Sequence, residues 1–180
     1  MNDEPNQPII VVSHSIHLSP IRDSDKLALL RFLNDQDVYN NTLRIPYPYC
    51  EADADKFIRN AADATARRGH PVHFAVRDEG DQLIGGCGFE GLSYGHRAGI
   101  GYWLAKPYWG RGIMTDVVRS ACDFATSQWK LVRITAHVFE FNRASARVLE
   151  KNRFQLEGLL RKHYRKEGKF LDAMLYARVT

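Results

Sequence analysis

The sequence predicts a single α+β domain built on a mixed β-sheet, and three observations carry that prediction. Ala98, Ile100, Tyr102 and Leu104 are apolar at period two, with Gly99, Gly101 and Ala105 small on the other parity, which is the pattern of a strand. Pro107 ends it, and beyond Gly110 and Gly112 the apolar spacing becomes three and four at Met114, Val117, Val118, Ala121, Phe124 and Ala125, which is the pattern of a helix. Along the whole chain such stretches follow the order β-α-α-β-β-β-α-β-α-β-β, with no repeat, linker or low-complexity tract.

Taken in order, residues 1–12 read as a loose terminal arm ahead of a domain over 13–180. Residues 14–21 make a first strand through Ile16 and Leu18. Arg22, Asp23, Ser24 and Asp25 then start a helix whose stripe is Leu27, Ala28, Leu30, Phe32 and Leu33. Residues 34–41 are polar and read as irregular. Pro46 and Pro48 exclude helix from the following loop, so Tyr47 and Tyr49 sit on a stiff extended segment, either packed on the domain or lining a pocket.

A second helix is expected over 52–68, with Ala54, Phe57, Ile58, Ala61, Ala62 and Thr65 on one face. Val72, Phe74 and Val76 alternate, 78–81 is a turn, and 82–89 returns as the second arm of a hairpin. Gly85, Gly86 and Gly88 thin that arm, which predicts a bulge or the close approach of another backbone. Residues 131–139 form a strand with Val132, Ile134, Ala136 and Val138 on one face. Asn142 caps a short helix burying Val148 and Leu149, and two strands over 154–164 and 170–179 close the chain.

Composition narrows the class. At 180 residues the chain has the length of one domain, and 44% hydrophobic with 26% charged residues is ordinary for a globular protein. Cys50, Cys87 and Cys122 are odd in number and far apart, which argues against a disulfide framework or zinc site and for a reducing compartment. No apolar run approaches the ~20 residues of a membrane span. A cytoplasmic protein without a bound metal is therefore expected. Residues 151–169 carry seven Lys or Arg against two acids, a stripe suited to nucleic acid, an acidic substrate or cofactor phosphates, or simply to water.

The strand-to-helix turn at 109–115 carries the chemistry. A helix start leaves backbone N–H groups without partners and bears partial positive charge, so a glycine-bearing turn there suits a phosphate, and Arg111 adds a full charge. A nucleoside-triphosphate loop would need Lys and Ser or Thr after its last glycine, where Ile113 and Met114 stand. A dinucleotide fingerprint would need a third glycine. The string Trp109-Gly110-Arg111-Gly112-Ile113-Met114, following Tyr102-Trp103-Leu104 and Pro107, instead resembles the acyl-coenzyme A pyrophosphate loop of the GNAT acetyltransferases in its RimJ/RimL form. Ile45-Pro46-Tyr47-Pro48-Tyr49, Asn142-Arg143-Ala144-Ser145 with Glu150-Lys151-Asn152-Arg153-Phe154, and the closing strands are similar to the same type.

That resemblance implies a GNAT fold: a sheet of about seven strands, splayed between the fourth and fifth and flanked by about four helices. It implies acetyl-CoA as acyl donor, with direct transfer in a ternary complex to a primary amine. Backbone groups of Trp103, Leu104 and Ala105 would meet the pantetheine arm. Trp109, Gly110, Arg111, Gly112, Ile113, Met114 and Thr115 would hold the pyrophosphate, and Asn142 would reach the pantetheine. Arg147 and Lys151 are candidates for the adenosine end, or ordinary surface charges.

Transfer requires an ammonium to lose a proton and a thiolate to gain one. Many members place a tyrosine acid where this chain has Leu149, so the acid implied here is Ser145, whose hydroxyl otherwise bonds locally in the first helical turn. Glu90 is the candidate base, with Glu140 and His96 as weaker ones. Some relatives carry an acid where Tyr164 stands, and alternation points the adjacent His163 to the other face. Arg153 occupies a place where glycine is usual, which strains the turn if φ is positive there. Tyr47, Tyr49, Glu90, His96 and Arg97 are expected on the acceptor side. The acceptor is a protein N-terminus, such as that of a ribosomal protein, or a small amine, and the protein a monomer or homodimer. A non-catalytic acyl-CoA-binding module and a basic RNA-binding domain are the alternatives.

Overall fold

The computed structural model describes residues 8–180. Most of the expected terminal arm lies outside the described residues. Its last part is not loose, because Ile10–Val11 forms a short strand, β1, paired with β2 (His17–Pro20). A 3-10 turn over Asp23–Asp25 leads into α1 (Lys26–Leu33). Residues expected to be irregular instead form α2 (Gln36–Asn41). Asp35 starts this helix by accepting the N–H groups of Asp37 (2.8 Å) and Val38 (3.1 Å). Only Val38 of α2 is buried, so the sequence shows no apolar period there.

The remaining elements are α3 (Glu51–Arg68), β3 (His73–Arg77), β4 (Leu83–Ser93), β5 (Arg97–Leu104), α4 (Ile113–Trp129), β6 (Arg133–Phe139), α5 (Arg143–Lys151), β7 (Gln155–Lys166) and β8 (Lys169–Val179). Among the described residues eight strands form one sheet in the order β1-β2-β3-β4-β5-β6-β8-β7, against about seven expected, and five α-helices accompany it, against about four. The extra strand is two residues long and the extra helix six, too short for periodicity to register.

Each face of the sheet buries its own core. One is built from Val76, Ile84, Phe89, Ile100, Leu104, Val117, Val118, Ala121, Ile134, Ala136, Val138 and Leu149, where α4 and α5 cover the sheet. The other joins Leu29, Leu33, Val38, Tyr49, Ala54 and Ile58 to Ala75 and Leu83, under α1 and α3. At the edge of this second core Arg77, 2% exposed, donates to both carboxylate oxygens of Asp25 (2.7 and 2.9 Å), to Ser19 Oγ (2.6 Å) and to the Pro20 carbonyl (3.1 Å). Partnering of this completeness is what a buried guanidinium requires.

All strand pairs are antiparallel except β5 with β6. That parallel pair holds only over Arg97 with Arg133, Ala98 with Ile134 and Gly99 with Thr135. Beyond Gly99 the two strands separate, so the sheet opens between them. Two backbone edges, that of β5 over residues 100–104 and that of β6 over 136–139, are thereby left to something other than a neighbouring strand, which positions the site.

Candidate active site

The opening lies at the centre of a cleft of about 1820 Å³ that passes from one face of the sheet to the other. On the α4 side it is lined by Gly110, Gly112, Ile113, Met114, Thr115, Asn142, Ser145 and Val148, with Arg147 and Lys151 as exposed cations at its rim. On the α3 side it is lined by Arg44, His73, Glu90, Gly99, Gly101, Thr135, His137 and Tyr164.

The turn at the start of α4 has the geometry a phosphate needs. Gly110 (φ +75°) and Gly112 (φ +80°) are left-handed, and a Cβ added at either would meet no atom within 4 Å. The first backbone bond back into the turn is from Thr115 N–H to the Gly112 carbonyl (3.0 Å). Among the described residues, the amides of residues 110–114 therefore have no main-chain partner, and open space lies where a side chain would otherwise be. Arg111 is exposed, with its guanidinium 5.5 Å from the centre of the Tyr108 ring. These residues fit a diphosphate.

The edge of β5 differs in detail from the expectation. Ala105 N–H donates to the Ile84 carbonyl (2.8 Å), which turns that residue's backbone toward β4. Because successive strand residues direct their N–H and C=O groups to opposite edges, Trp103 also faces β4, while Tyr102 and Leu104 face the opening. Of Trp103, Leu104 and Ala105, only Leu104 presents its backbone to a pantetheine arm, and its carbonyl already accepts from Trp109 Nε1 (2.7 Å). Tyr102 is the residue that the sequence reasoning missed.

Tyr102 also contributes its side chain. Its hydroxyl lies 2.9 Å from Ser145 Oγ and 3.3 Å from the Ser145 carbonyl, and burial pushes its pKa well above the ordinary 10. The Ser145 amide donates to Asn142 Oδ1 (3.0 Å), so Asn142 caps α5 and fixes Ser145 at the opening. Ser145 is thus bonded to a second hydroxyl rather than only to its own helical turn.

The acceptor-side residues divide. Glu90 lines the cleft, but both its oxygens bind the Arg44 guanidinium, one of them at 2.7 Å. Tyr49 borders the cleft yet is a core residue, 5% exposed, and burial raises its pKa to about 12. Its main chain is clasped by Asn34, which accepts Tyr49 N–H (2.9 Å) and donates to its carbonyl (2.6 Å). Tyr47 is outside the cleft lining, its ring 5.7 Å from that of Tyr39.

His96 and Arg97 are also outside the lining. They stand at the joined end of β5 and β6, where the His96 carbonyl accepts Val132 N–H (2.9 Å) and Arg133 N–H (3.0 Å), whereas the strands part toward residue 104. Glu140 is exposed beyond the end of β6 and does not line the cleft.

Glycines on β4 make room rather than turns. A Cβ on Gly85 would stand 2.7 Å from the Trp103 carbonyl, which is the close backbone approach expected. One on Gly86 would meet the Trp103 indole at 2.5 Å, and one on Gly88 the His73 ring at 2.4 Å. A bulge adjoins them too: Val76 pairs with Gly85 and Arg77 with Leu83, leaving Ile84 as the extra residue of β4, and a second irregularity lies between Glu90 and Ser93.

The alternation expected of His163 fails. Pairing of β7 with β8 shifts between Leu160 and Tyr164, and Lys162 has φ +52°. This bulge sets both His163 (5.0 Å) and Tyr164 (6.0 Å, edge-on) against the ring of His137. Lys166, in the basic stripe, donates to the carbonyls of Tyr39 and Thr42 (2.6 Å for the latter), docking the β7–β8 hairpin on α2 across the acceptor side. Arg153 does occupy a left-handed position, at φ +65°.

A mixed sheet opened between two parallel strands, with a glycine turn starting the helix beside the opening, defines a splayed-sheet transferase architecture. The Acetyltransferase (GNAT) domain model matches residues 15–155, and the chain belongs to that family. The uncharacterized N-acetyltransferase YoaA of Bacillus subtilis (strain 168) is 38% identical over 171 residues, covering 88% of this chain and 96% of YoaA. The ribosomal-protein-serine acetyltransferase of Escherichia coli (strain K12) is 26% identical, covering 94% of this chain and 96% of its own. The matched stretch spans 56% of the uncharacterized N-acetyltransferase p20 of Bacillus licheniformis and 60% of the probable N-acetyltransferase YjcK of B. subtilis.

Among solved structures, the ribosomal L7/L12 acetyltransferase RimL in complex with coenzyme A has the same fold, with a TM-score of 0.85 at 23% identity over 96% of this chain and 98% of that one. The microcin C7 self-immunity acetyltransferase MccE, solved with acetyl-CoA and AMP, gives 0.81 at 20% identity over 94% of both chains. Among the described residues no helix is long and apolar enough to cross a membrane, and no three His, Cys, Asp or Glu side chains are grouped to hold a metal.

Proposed function

We propose that this protein is a cytoplasmic N-acetyltransferase whose domain, residues 13–180, transfers the acetyl group of acetyl-CoA directly to a primary amine in a ternary complex. The observation that carries the reading is the open junction of β5 and β6 flanked by the unpartnered amides of the α4 turn. Acetyl-CoA supplies an acyl thioester as electrophile and a thiolate as leaving group. The backbone amides of residues 110–114 hold the diphosphate beside Thr115, Tyr102 and Leu104 offer the free edge of β5, and Arg147 and Lys151 lie at the rim for the adenosine end.

Ser145 is the proton donor to the leaving sulfur. Tyr102, kept protonated by burial, holds the Ser145 hydroxyl in place. A carbonyl in the opening would meet the Leu104 N–H, the simplest donor for developing negative charge. The acceptor approaches from the α3 side and is a protein N-terminus, a ribosomal protein being the precedent among the relatives, or a small amine. Glu90, held by Arg44, shapes that entrance rather than taking a proton.

Calorimetric titration with acetyl-CoA, followed by thiol release with a panel of small amines and ribosomal-protein N-terminal peptides, tests the reading. Saturable binding with amine-dependent thiol release is the expected outcome. Binding without release from any acceptor would favour a non-catalytic acyl-CoA-binding module, and no binding would remove the assignment of the turn.

A further inference from the structure

We propose that His137 is the catalytic base that takes the proton from the acceptor amine, in a trough floored by Gly99 and Gly101 on the α3 face of the opening. The inference rests on the acetyltransferase reading above. Strand alternation sets Thr135, His137 and Phe139 on the face opposite Ala136 and Val138, which are buried against α4 and α5. On β5 the same face carries Gly99, Gly101 and Trp103, and on β4 it carries Gly86, Gly88 and Glu90. Gly99 is paired with Thr135, so two residues on, past the point of separation, Gly101 and His137 lie across the opening from one another.

A Cβ at Gly101 would meet nothing within 4 Å, so the floor is open space with His137 as one wall. His73 stands on the opposite side, its ring packed over Gly88. The trough thus has room for a primary amine at the level where β5 and β6 part, which is where a thioester reached from the α4 side would be presented.

The groups facing His137 favour proton acceptance. From β7 it is met by His163 and Tyr164, its neighbour on β8 is Leu175, and β5 offers Gly101 across the opening with Trp103 beyond it. Of the charged groups lining this side of the cleft, Glu90 and Arg44 are bound to one another, while Asp53, Lys56, Arg67 and Arg68 stand on α3. Among the described residues no carboxylate bonds to His137. Partial removal from water and repulsion from His163 hold its pKa below the ordinary 6.5, so the ring is neutral at pH 7 with a lone pair to offer.

The aromatic surfaces of Tyr164 and Phe139, 6.0 Å apart, suit the incoming ammonium before it loses its proton. In the step itself the ammonium N–H proton passes to a His137 ring nitrogen. The freed nitrogen lone pair forms the C–N bond as the C–S bond breaks, its electron pair staying on sulfur. Ser145 delivers its hydroxyl proton to the thiolate, the second proton leaving nitrogen passes through water to restore the Ser145 hydroxyl, and His137 returns its own proton to water.

The test uses the full chain with N-terminal Ser and Ala peptides as acceptors. His137→Gln is expected to lower kcat roughly a hundredfold, the scale of a lost general base, with acetyl-CoA affinity unchanged. The wild-type profile of kcat/KM should carry an acidic limb below pH 6.5, absent in His137→Gln. Removing the repulsion in His163→Gln should shift that limb upward in pH, a movement that a purely structural role would not produce. Turnover by His137→Gln within threefold of wild type overturns the proposal, as does an unmoved limb in His163→Gln should His137→Gln fail to fold. Wild-type turnover with either result leaves the acetyltransferase reading standing, whereas no wild-type thiol release with any peptide or amine overturns both.

Discussion

The two sides of the opening are built from different materials. On the α4 side the site is mostly main chain: the amides of one turn, the free edge of β5, and one hydroxyl placed by a helix cap. On the α3 side it is side chains delivered by separate segments: Arg44 from a loop, His73 from β3, Glu90 from β4, His137 from β6 and Tyr164 from β7. A backbone site recognises what is common to its ligands, while a side-chain site can be rebuilt residue by residue without disturbing the first. The comparison teaches that donor and acceptor recognition should be separable by mutation.

The largest effect expected is on the donor side. Gly112→Asp puts a Cβ at φ +80° and a carboxylate into the phosphate cradle, where like charges about 4 Å apart repel by roughly 1–4 kcal/mol. Acetyl-CoA affinity should fall at least tenfold, read by calorimetry, and retained affinity would break the assignment. Next is Gly101→Leu, which fills the acceptor trough. It should lower kcat/KM for the amine by about tenfold or more while acetyl-CoA affinity stays put, because its side chain enters open space on the other face. Equal losses of both would show that the sides are not separable.

Ser145→Ala should reduce kcat about tenfold, with acetyl-CoA binding intact. An unchanged kcat would remove the acid and leave Tyr102 without the partner proposed for it. Smallest is a change on neither side. Arg153→Gly relieves a left-handed arginine and should raise stability by about 1 kcal/mol or less, measured by denaturant unfolding, without altering turnover. A loss of activity would tie the end of α5 to the site.

Legibility in the sequence follows the same division. The strand, proline, glycine turn and helix of residues 97–129 are contiguous, so their periods and breakers could be read directly. The parting of β5 and β6 was legible only through resemblance, since nothing local distinguishes a paired strand edge from a free one. Arg44 and Glu90 are 46 residues apart, and Tyr102 and Ser145 are 43 apart, distances over which sequence pattern says nothing about contact. His96 was attractive for its chemistry, but the direction in which the strands part carried it away from the cleft. His137 left one trace: with Arg133 and Thr135 it lies on the parity of β6 opposite the apolar Ile134, Ala136 and Val138, the face turned away from the core under α4.

The order of the last strands bears on how the chain is made. In space β8 lies between β6 and β7, yet it follows both in sequence. During synthesis, which runs from the N-terminus, β7 has no strand to join until β8 has emerged, and the outer edge of β6 stays bare for as long. The half of the sheet that carries His137, His163 and Tyr164 is therefore assembled by a single late insertion. A nascent chain paused before residue 169 would hold a finished phosphate turn beside an acceptor wall that still lacks its β7 part.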